Sequence, residues 1–447
     1  MSESSDVIRS RRHFLKASSA AALLSATSAR LAHGAGTSDL TIRIGLIGCG
    51  GRGTGAVFDA MGAATKVIYP QIGYHTEDVA EGAKIERPNV SVVALADLFE
   101  DRLDHCRRQV RRLGMDIPPE KCHLGFDAYQ KVVSDPEVNY VILATPPHFR
   151  PRQLMAAIQA GKHVFMEKPV AVDGPGVREV LAAGESAAQK NLGIAAGTQR
   201  RHMPSYRETI RRVKDGEIGE VMYGKCYWNG GQIWVVDRKS EFSDMEWQIR
   251  NWNYFTWLSG DHYVEQHVHN LDVMNWVIGA HPLRAVSGVG GRQVRTAERY
   301  GNIYDHFAVE YEYPGGITMF SQARQINGCK SMVEEEIIGT KGRSNCEDEI
   351  RSAAGERWRY RERHPSPYRL EHEHLIQSIG GGKPINEAKT IAEATLTGII
   401  GREAAYSGQP VTWEQGIQSN VRLGPTEYAF GDYTPRGVRM PGTHKFG

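Results

Sequence analysis

The sequence predicts an α/β protein with a doubly wound parallel sheet in its first half and a second α/β domain after it. Short runs of β-branched residues alternate with amphipathic helical segments from about residue 41 onward, a pattern typical of parallel sheets covered by helices. A chain of 447 residues should hold about two to three domains. Later segments also read as strands and as one returning helix. They are the strands 221–228, 283–292, 306–311 and 317–322 and the helix 385–406.

Composition excludes several classes of protein. Lys and Arg number 54 against 52 Asp and Glu, a formal net charge of +2, and neither half of the chain carries a sustained basic stripe. Nucleic acid is therefore not an expected main partner. The six cysteines form neither a C-x-x-C pair nor zinc-finger spacing, so a disulfide framework is not indicated, while one or two bridges stay open.

The first 38 residues are predicted to be an export signal and linker rather than part of the fold. An Arg11-Arg12 pair stands shortly before Phe14, Leu15 and Lys16, and a weakly apolar segment rich in Ala and Ser follows. This arrangement resembles a twin-arginine signal, which would be removed at its end. The segment is too short and too polar to span ~30 Å of hydrocarbon stably. We therefore expect an exported, periplasmic protein without a stable membrane span. The alternative is a disordered basic tail.

A glycine-rich turn joins the first predicted strand, 41–47, to a helix. Gly48, Gly50 and Gly53 give the spacing G-x-G-x-x-G in the strand-to-helix context that this motif requires. Gly48 permits the tight turn, Gly50 lets the backbone approach a pyrophosphate, and Gly53 lets the helix pack on the strand. The phosphates would bind the amides at the helix N-terminus, where the helix dipole favours negative charge. The sequence therefore predicts a dinucleotide site, to which Gly51 and Arg52 also belong.

An acidic residue at the end of the next strand, 92–96, supports this interpretation. The carboxylate of Asp97 would accept hydrogen bonds from ribose hydroxyls. Because an acid there repels a 2′-phosphate, NAD is favoured over NADP. The spacing from Gly53 to Asp97 is about twice the roughly twenty residues that are usual, so residues 62–88 are predicted to form an inserted loop or helix. The alternative is that Asp97 only caps the following helix.

Two more predicted strands end in polar turns. One strand runs into Thr145, Pro146 and His148, and the next runs into Glu167 and Lys168. Ligands of doubly wound sheets bind outside the carboxyl ends of the strands. These five residues are therefore candidates for cofactor contact.

These motifs together resemble the glucose-fructose oxidoreductase, inositol dehydrogenase and MocA family. The resemblance runs from about residue 41 to beyond 280, and it is carried by the glycine-rich turn, Ala-Thr-Pro-Pro-His at 144–148, Ala-Gly-Lys-His-Val at 160–164 and Glu-Lys-Pro at 167–169. It implies an N-terminal Rossmann NAD-binding domain and a C-terminal substrate-binding α/β domain with a large, mostly antiparallel sheet. It further implies that Lys168 lies between nicotinamide and substrate, that the next proline is often cis, and that a hydroxyl carbon of a sugar or cyclitol reacts. The predicted domains are 39–168 and 169–430, with a C-terminal arm at 431–447.

The position of Lys168 also has a physical rationale. A lysine fixed at this turn could hydrogen-bond a substrate hydroxyl and favour loss of its proton as hydride leaves. The alternative is a surface ion pair between Glu167 and Lys168. Neighbouring residues on a strand point to opposite faces, which makes such a pair less expected.

A second group of polar residues precedes an apolar helix, 273–278, that ends at Gly279. In the family this region carries an Asp four residues before a His and another Asp three residues after it. His269 and Asp272 match, whereas Glu265 stands where the first Asp is expected. On one helix, positions 265 and 269 would share a face, so Glu265 would orient His269 as a general base. The longer Glu leaves open whether it orients His269 or contacts substrate itself.

Two other interpretations of this segment stay open. If it were extended, Glu265, His267 and His269 would line one face like metal ligands. No further ligand stands at a sequence spacing typical of metal sites, and no metal is predicted. His269 could also be a core histidine whose ring nitrogens form hydrogen bonds with the backbone.

Two further sets of residues are candidates for substrate contact. Arg200, His202 and Tyr206 follow the apolar strand 192–196 and could contact hydroxyl or carboxylate groups together with Asp272, although charges at a helix start are common. Five aromatic residues are either core or a platform for a sugar ring, and packing is favoured for most of them. They are Trp247, Trp252, Tyr254, Phe255 and Trp257.

These features together predict hydride transfer with NAD, in which Lys168 and His269 handle the hydroxyl proton. Free nicotinamide cofactor is not expected outside the cytoplasm, so an exported enzyme would retain its cofactor through each turnover. Paired oxidation and reduction of two sugars fits, and so does a redox-neutral glycosidase that works through a transient keto-sugar. A non-catalytic, exported carbohydrate-binding protein is the alternative of another class. An open sheet face in the second domain also predicts a homo-dimer or homo-tetramer.

Overall fold

The computed structural model describes residues 40–69 and 75–446. The predicted export signal, 1–38, lies outside these residues. Among the helices that are described, none is long and apolar enough to cross a bilayer. All six cysteines carry free thiols.

The first domain is built on a six-stranded sheet. Its strands are β1 (Ile42–Ile47), β4 (Val90–Asp97), β5 (Cys122–Leu124), β6 (Tyr140–Leu143), β7 (His163–Met166) and β8 (Ile194–Ala196). They pair in the order β5-β4-β1-β6-β7-β8, and every pair is parallel. Because helices cover both faces, the central strands are almost wholly buried and read as continuous apolar runs. The helices are α1 (Gly51–Met61), α2 (Glu100–Arg111), α3 (Ala128–Ser134), α4 (Arg150–Gln159) and α5 (Gly174–Gln189).

The insertion between Gly53 and Asp97 contains two strands that form a β-hairpin, followed by a loop at residues 80–89. The predicted loop is thus present in part, and the hairpin was not predicted. Its strands β2 (Thr65–Ile68) and β3 (Thr76–Val79) pair antiparallel with each other and with no strand of the main sheet. Both segments contain the β-branched residues typical of strands, which explains why they pair rather than form a helix.

The second domain contains a nine-stranded sheet, and its predicted mostly antiparallel character is confirmed. The strands are β9 (Val221–Gly230), β10 (Arg284–Gly291), β11 (His306–Glu312), β12 (Thr318–Gln325), β13 (Met332–Gly339), β14 (Gly342–Ser344), β15 (Glu349–Ser352), β16 (Arg357–Arg359) and β17 (Val411–Thr412). Their order is β16-β15-β14-β13-β9-β12-β11-β10-β17. Only β9 and β12 pair in parallel among these described strands. Side chains along β12 alternate between buried and half-buried, as expected for a sheet with one covered face.

The helices of the second domain cover that face and connect it to the first domain. They are α6 (Pro204–Lys214), α7 (Asp244–Arg250), α8 (Thr256–Ser259), α9 (His262–Glu265), α10 (Val268–Ile278), α11 (Pro367–Gly380), α12 (Ala388–Ser407) and α13 (Trp413–Gln418). The segment before α12 meets β8, where the amide of Ile194 donates to the Ile385 carbonyl at 2.9 Å. The segment that leads into α12 therefore contacts the first sheet. Since β8 is the edge strand of that sheet, the first domain extends beyond the predicted boundary at residue 168.

The C-terminal arm packs on the second domain. The Tyr304 hydroxyl donates to the carbonyl of Arg439, and the Asn302 side chain donates to that of Arg436, both at 2.7 Å. The arm has no regular helix or strand among its described residues, 431–446.

Candidate active site

The polar turns predicted from the sequence meet at the carboxyl edge of the first sheet. Gly48 follows β1, Asp97 ends β4, and Thr145 lies just beyond β6. A cavity of about 140 Å³ opens at this edge, and its walls include these three residues together with Gly50 and Pro146. The sheet topology thus brings most of the predicted cofactor contacts into one place. Gly53, His148, Glu167 and Lys168, which were also predicted, are not among the residues that line this cavity.

The glycines of the turn have different surroundings. Gly48 has a φ of 99°, in the region that favours glycine. A Cβ on Gly53 would lie 1.9 Å from the carbonyl oxygen of Gly48, and one on Gly51 would lie 2.5 Å from that of His75. A Cβ on Gly50, in contrast, would meet no described atom within 4 Å. Gly50 therefore keeps open space in front of α1, whereas Gly51 and Gly53 permit close packing.

The N-terminus of α1 fits the pyrophosphate of NAD. No described side chain caps its first amides, and its first turn contains no acidic residue. Amides at a helix N-terminus bind phosphate through hydrogen bonds and through the helix dipole. The open space at Gly50 lies directly before these amides, as the G-x-G-x-x-G motif requires.

Asp97 stands where a ribose would be recognised. One carboxylate oxygen accepts from the amide of Cys49 at 2.6 Å, and the other accepts from the amide of Phe99 at 2.8 Å. Burial raises the pKa of Asp97, while the charge of Arg102 opposes this shift. Phe99, not Asp97, is the residue before α2, so the helix-cap alternative does not describe the structure. Asp97 also ties the glycine-rich turn to β4.

His148 does not line the cavity, contrary to the prediction of a cofactor contact. The short 3₁₀ turn Pro147–Phe149 directs its ring into an aromatic cluster instead. Its Nε2 shares a hydrogen bond with the Tyr428 hydroxyl at 2.7 Å, and its ring packs edge-on against Trp257. Burial lowers the pKa of His148 to about 3, so the ring is neutral.

Arg150, which the sequence analysis missed, joins two turns of the site. Its buried guanidinium donates to the carbonyls of Thr145 and Pro169. Burial lowers its pKa to about 10, while the charges of Glu167 and Glu265 oppose this shift. The Lys168–Pro169 peptide bond is cis, as the resemblance implied. A basic residue at a helix start carries no sequence signal for such a role.

Lys168 is paired with Glu265 rather than with its neighbour Glu167. Its Nζ donates to Oε1 and to the backbone carbonyl of Glu265, each at 2.6 Å. Only 12% of the Lys168 side chain and 8% of that of Glu265 are exposed. Glu167 lies 3.1 Å from Nε of Arg52 instead. The ammonium is thus fixed by a residue of the second domain.

Arg52 forms ion pairs with several carboxylates of the protein, so it does not serve phosphate binding alone. Its guanidinium contacts Asp59 and Glu77 in addition to Glu167. These nearby carboxylates raise its pKa against the effect of burial. Arg52 nevertheless lines the cavity, although these three carboxylates compensate its positive charge.

The predicted pairing of Glu265 with His269 is wrong. α9 ends at Glu265 and α10 begins at Val268, so the two positions do not share one helix face. The Glu265 carbonyl, which a continuous helix would use, accepts from Lys168 instead. The interruption at residues 266–267 therefore redirects Glu265 toward the first domain.

His269 has a neutral ring at the boundary between the domains. It stacks on Trp228 with ring centroids 5.6 Å apart and an angle of 22° between the planes. Burial lowers its pKa well below the usual value, and the charges of Lys168 and Arg200 act in the same direction. Within the described part of the chain its ring nitrogens have no hydrogen-bond partner, so the satisfied core histidine is not observed. A neutral, unpartnered imidazole can accept a proton.

The metal alternative for Glu265, His267 and His269 fails because the segment is helical on both sides. Their side chains have different neighbours, and His267 Nε2 shares a 2.6 Å hydrogen bond with the Ser321 hydroxyl. Burial lowers the pKa of His267 to about 3. Across residues 40–69 and 75–446, no group of three His, Cys, Asp or Glu side chains could hold a metal ion.

Arg200 and Tyr206 meet at Glu335, a buried carboxylate on β13. Arg200 Nη1 and the Asn270 side chain contact one oxygen, and the Tyr206 hydroxyl donates to the other at 3.1 Å. Burial raises the pKa of Glu335, while Arg200 opposes the shift. Tyr206 thus supports the site rather than facing a ligand. Glu335 was not predicted as a site residue. Its position in a strand next to apolar residues is a sequence signal that could have indicated an inward-facing side chain.

His202 and Asp272, two predicted substrate contacts, are held by other side chains. His202 shares a 2.8 Å hydrogen bond with His374 and lies 3.2 Å from Glu387. Asp272 accepts from Arg201 Nε at 2.7 Å. Both residues are buried, so contact with substrate would require these pairs to break.

Most of the aromatic residues before this segment are core. Trp247, Tyr254, Phe255 and Trp257 are buried in one hydrophobic cluster, as favoured from the sequence. Trp252 is half-buried and lines the dinucleotide cavity.

Family models match both domains of the chain. Residues 42–197 match an oxidoreductase family described as having an NAD-binding Rossmann fold, and residues 206–344 match a Gfo/Idh/MocA C-terminal domain. The first region contains the six-stranded sheet, and the second contains the strands β9 to β14 of the larger mixed sheet.

Individual relatives agree with this assignment. A scyllo-inositol 2-dehydrogenase (NAD(+)) of Bacillus subtilis is 25% identical over 354 residues, which cover 76% of this chain and 92% of that protein. An inositol 2-dehydrogenase/D-chiro-inositol 3-dehydrogenase of Lactiplantibacillus plantarum is 26% identical over 57% of this chain and 69% of that protein. The crystal structure of aldose-aldose oxidoreductase from Caulobacter crescentus complexed with glycerol superposes with a TM-score of 0.62 at 17% identity, covering 83% of this chain and all of that one.

At that level of identity the structural likeness concerns the fold alone. The matched models and the cavity geometry agree on the cofactor. This chain therefore belongs to the Gfo/Idh/MocA family of oxidoreductases and carries its NAD-binding Rossmann domain.

Proposed function

We propose that this protein is an exported enzyme that uses retained NAD to oxidise and reduce a hydroxyl carbon of a sugar or cyclitol. One observation carries the proposal. The Lys168 ammonium is fixed by Glu265 near the neutral His269, at the sheet edge that carries the dinucleotide site. An ammonium donor and a neutral imidazole at one site would together support removal of a hydroxyl proton.

Bound NAD supplies the hydride chemistry, and the chain's own residues manage the proton. An ammonium has three donors, and Glu265 occupies two of those of Lys168. The third is left to hydrogen-bond a substrate hydroxyl oxygen and to stabilise negative charge that develops there. The ring of His269 accepts the hydroxyl proton.

The substrate class rests on the relatives and on the wall of the site. The relatives named above include inositol dehydrogenases, which favours a polyhydroxylated, uncharged ring. In this chain the cations near His269 each have a carboxylate partner, since Lys168 pairs with Glu265 and Arg200 pairs with Glu335. A site with compensated charge suits hydroxyl groups better than an anion.

The preference for NAD over NADP rests on Asp97. Its carboxylate lies in the cavity wall next to the glycine-rich turn, where it would accept from ribose hydroxyls and repel a 2′-phosphate.

Export is supported by the twin-arginine-like sequence alone. An Arg11→Lys/Arg12→Lys variant of the full chain should accumulate in the cytoplasmic fraction, whereas the unchanged chain should reach the periplasm. If the variant and the unchanged chain both stayed in the cytoplasm, the export proposal would be wrong. The argument that the enzyme must retain its cofactor would then lose its basis.

Assembly into a dimer or tetramer is supported by the second sheet. Met222, Val289 and Val333 are exposed apolar side chains on β9, β10 and β13 of this sheet, and a second copy of the chain that packed on the sheet would cover them. Light scattering of the purified protein should give a multiple of the chain mass, and a single-chain mass would contradict the proposal.

The reaction is tested by incubating purified protein without added NAD. Paired formation of a lactone and an alditol from free aldoses would support the oxidoreductase. Release of aglycone from aryl glycosides would replace it by the redox-neutral glycosidase. Protein that retains nicotinamide but converts no aldose, cyclitol or aryl glycoside would favour the carbohydrate-binding alternative, and protein without nicotinamide would contradict cofactor retention.

A further inference from the structure

Part of the wall of the dinucleotide cavity comes from the second domain. Trp234, Ile249 and Trp252 line the cavity together with Gly50 and Asp97. They belong to residues 231–255, which follow β9 of the second sheet and contain α7. We call residues 231–255 the covering segment.

Arg250 joins the covering segment to the start of α2, just after Asp97. Its guanidinium lies 3.8 Å from the centre of the Phe99 ring. It also donates to both carboxylate oxygens of Asp101, at 3.1 and 3.2 Å. The Arg250 side chain is only 15% exposed, so the cation–π contact is largely shielded from water and is stronger than at an open surface.

Phe430, the residue directly before the C-terminal arm, contacts the same ring and the cavity wall. The ring of Phe430 stacks on Phe99 with centroids 6.2 Å apart and lies 5.5 Å from Phe126, which lines the cavity. The arm is in turn tied to the covering segment, because Gln248 donates to the Tyr433 carbonyl at 2.7 Å.

Hydrogen bonds of buried side chains fix the conformation of the covering segment. Asn251 is fully buried, accepts from the amide of Val236 at 3.0 Å and donates to the carbonyl of Arg299 at 2.8 Å. The Tyr254 hydroxyl donates to the carbonyl of Ile233 at 3.1 Å. Its contacts with α2 are therefore made by a preformed surface rather than by a loose loop.

We propose that the covering segment is a clasp that retains the adenosine half of NAD through turnover, with Arg250 as its positioning residue. The inference rests on the proposed cofactor retention and gives it a structural cause. Asp97 marks the ribose, so the part of the cavity beyond it that Trp234 and Trp252 line takes the base. Aromatic walls suit a purine because every base offers a π face for stacking. Release of the cofactor then requires the clasp to separate from α2.

The test measures release of NAD rather than activity. Purified protein is first assayed for nicotinamide after denaturation. It is then mixed with an excess of isotopically labelled NAD, and the label that enters the protein is followed over time. Arg250→Ala should exchange its cofactor about tenfold faster than the unchanged protein, which corresponds to loss of one shielded cation–π contact with its ion pair.

Arg238→Ala is the matched control. Arg238 lies in the covering segment, contacts Asp244 and lies over the Trp247 ring. It therefore makes the same types of contact as Arg250, but within the second domain. Its exchange rate should equal that of the unchanged protein.

Asp101→Asn, on the exposed side of the contact, gives a second variant should Arg250→Ala fail to fold. Its exchange should be faster by about two- to threefold, as expected for a partly exposed ion pair. Equal exchange in the unchanged protein and in the folded variant would overturn the clasp while leaving the proposed function intact. Unchanged protein that contains no nicotinamide would overturn retention itself, and the clasp with it.

Discussion

The dinucleotide site and the reaction site are built by different means. The former is made of backbone, in which Gly48 turns the chain, Gly53 admits the helix and Gly50 leaves space for a ligand. The latter is made of paired side chains from distant segments, such as Lys168 with Glu265. An added atom disturbs the first kind of site, whereas a lost charge disturbs the second. Substitutions that add an atom should therefore impair the dinucleotide site, and substitutions that remove a charge should impair the reaction site.

The largest effect is expected in the glycine-rich turn. Gly53→Ala places a Cβ 1.9 Å from the Gly48 carbonyl oxygen, so strand and helix must separate, and little folded protein with bound nicotinamide should be recovered. Gly50→Ala is the matched variant, because Gly50 has a φ of −69° and a ψ of −175° that alanine adopts readily. It should fold normally and bind NAD more weakly, by about tenfold or more, since its methyl group occupies the phosphate space.

Circular dichroism and nicotinamide content measure both variants. Full nicotinamide content in Gly53→Ala would contradict the backbone account of this site.

The next effect concerns the contact between Lys168 and Glu265. Glu265→Gln keeps an oxygen acceptor but removes the charge, and a charge-assisted hydrogen bond exceeds a neutral one by about 1 kcal/mol. We expect kcat to fall by about fivefold, with nicotinamide content unchanged. Glu265→Asp keeps the charge with a shorter reach and should recover part of the loss. A variant Glu265→Gln with unchanged kcat would show that the pair does not position Lys168 for the reaction.

The pH dependence tests the neutral state of His269. Burial and the charges of Lys168 and Arg200 hold its pKa well below 6.5. The ring therefore accepts protons above that lowered pKa, and kcat/KM should decrease only as the pH falls through it. A decrease centred near or above pH 6.5 would mean that His269 is not the base or is not buried during the reaction.

The smallest effect is expected at His148, which faces an aromatic cluster and not the cavity. His148→Phe keeps the packing against Trp257 and loses the bond to the Tyr428 hydroxyl, at a cost of about 1 kcal/mol in stability. Nicotinamide content and kcat should stay within about twofold. A large loss of bound NAD, measured after denaturation, would restore His148 as a cofactor contact.

The backbone-built region was largely predictable from sequence, and the side-chain-built region was not. The strand 163–166, the glycine-rich turn and Asp97 are local patterns, and parallel topology brings strand ends together by itself. The contact from Lys168 to Glu265 and that from Arg200 to Glu335 join residues far apart along the chain, so no local period encodes them. The break after Glu265 was missed because Gln266 and His267 are compatible with a helix, and the Glu265 carbonyl is diverted only by Lys168 from another domain.

The same reasoning explains two smaller differences. The β2–β3 hairpin pairs only with itself, and a short isolated hairpin gives a weaker signal than a sheet strand. Arg150 is missed because its partners are backbone carbonyls, which every residue carries and no sequence motif marks.

The most direct test of hydride transfer at this site uses the nicotinamide that the purified protein already holds. The protein is mixed with a polyol or aldose substrate, with no NAD added, and reduction of its bound nicotinamide is measured. In the unchanged protein, the absorbance of reduced nicotinamide should appear within one turnover. In Lys168→Met, which should hold as much NAD, the rate should fall by about 10²–10⁴-fold. Equal rates in the two proteins would contradict the role assigned to Lys168, and the absence of any reduction in the unchanged protein would contradict hydride transfer at this site.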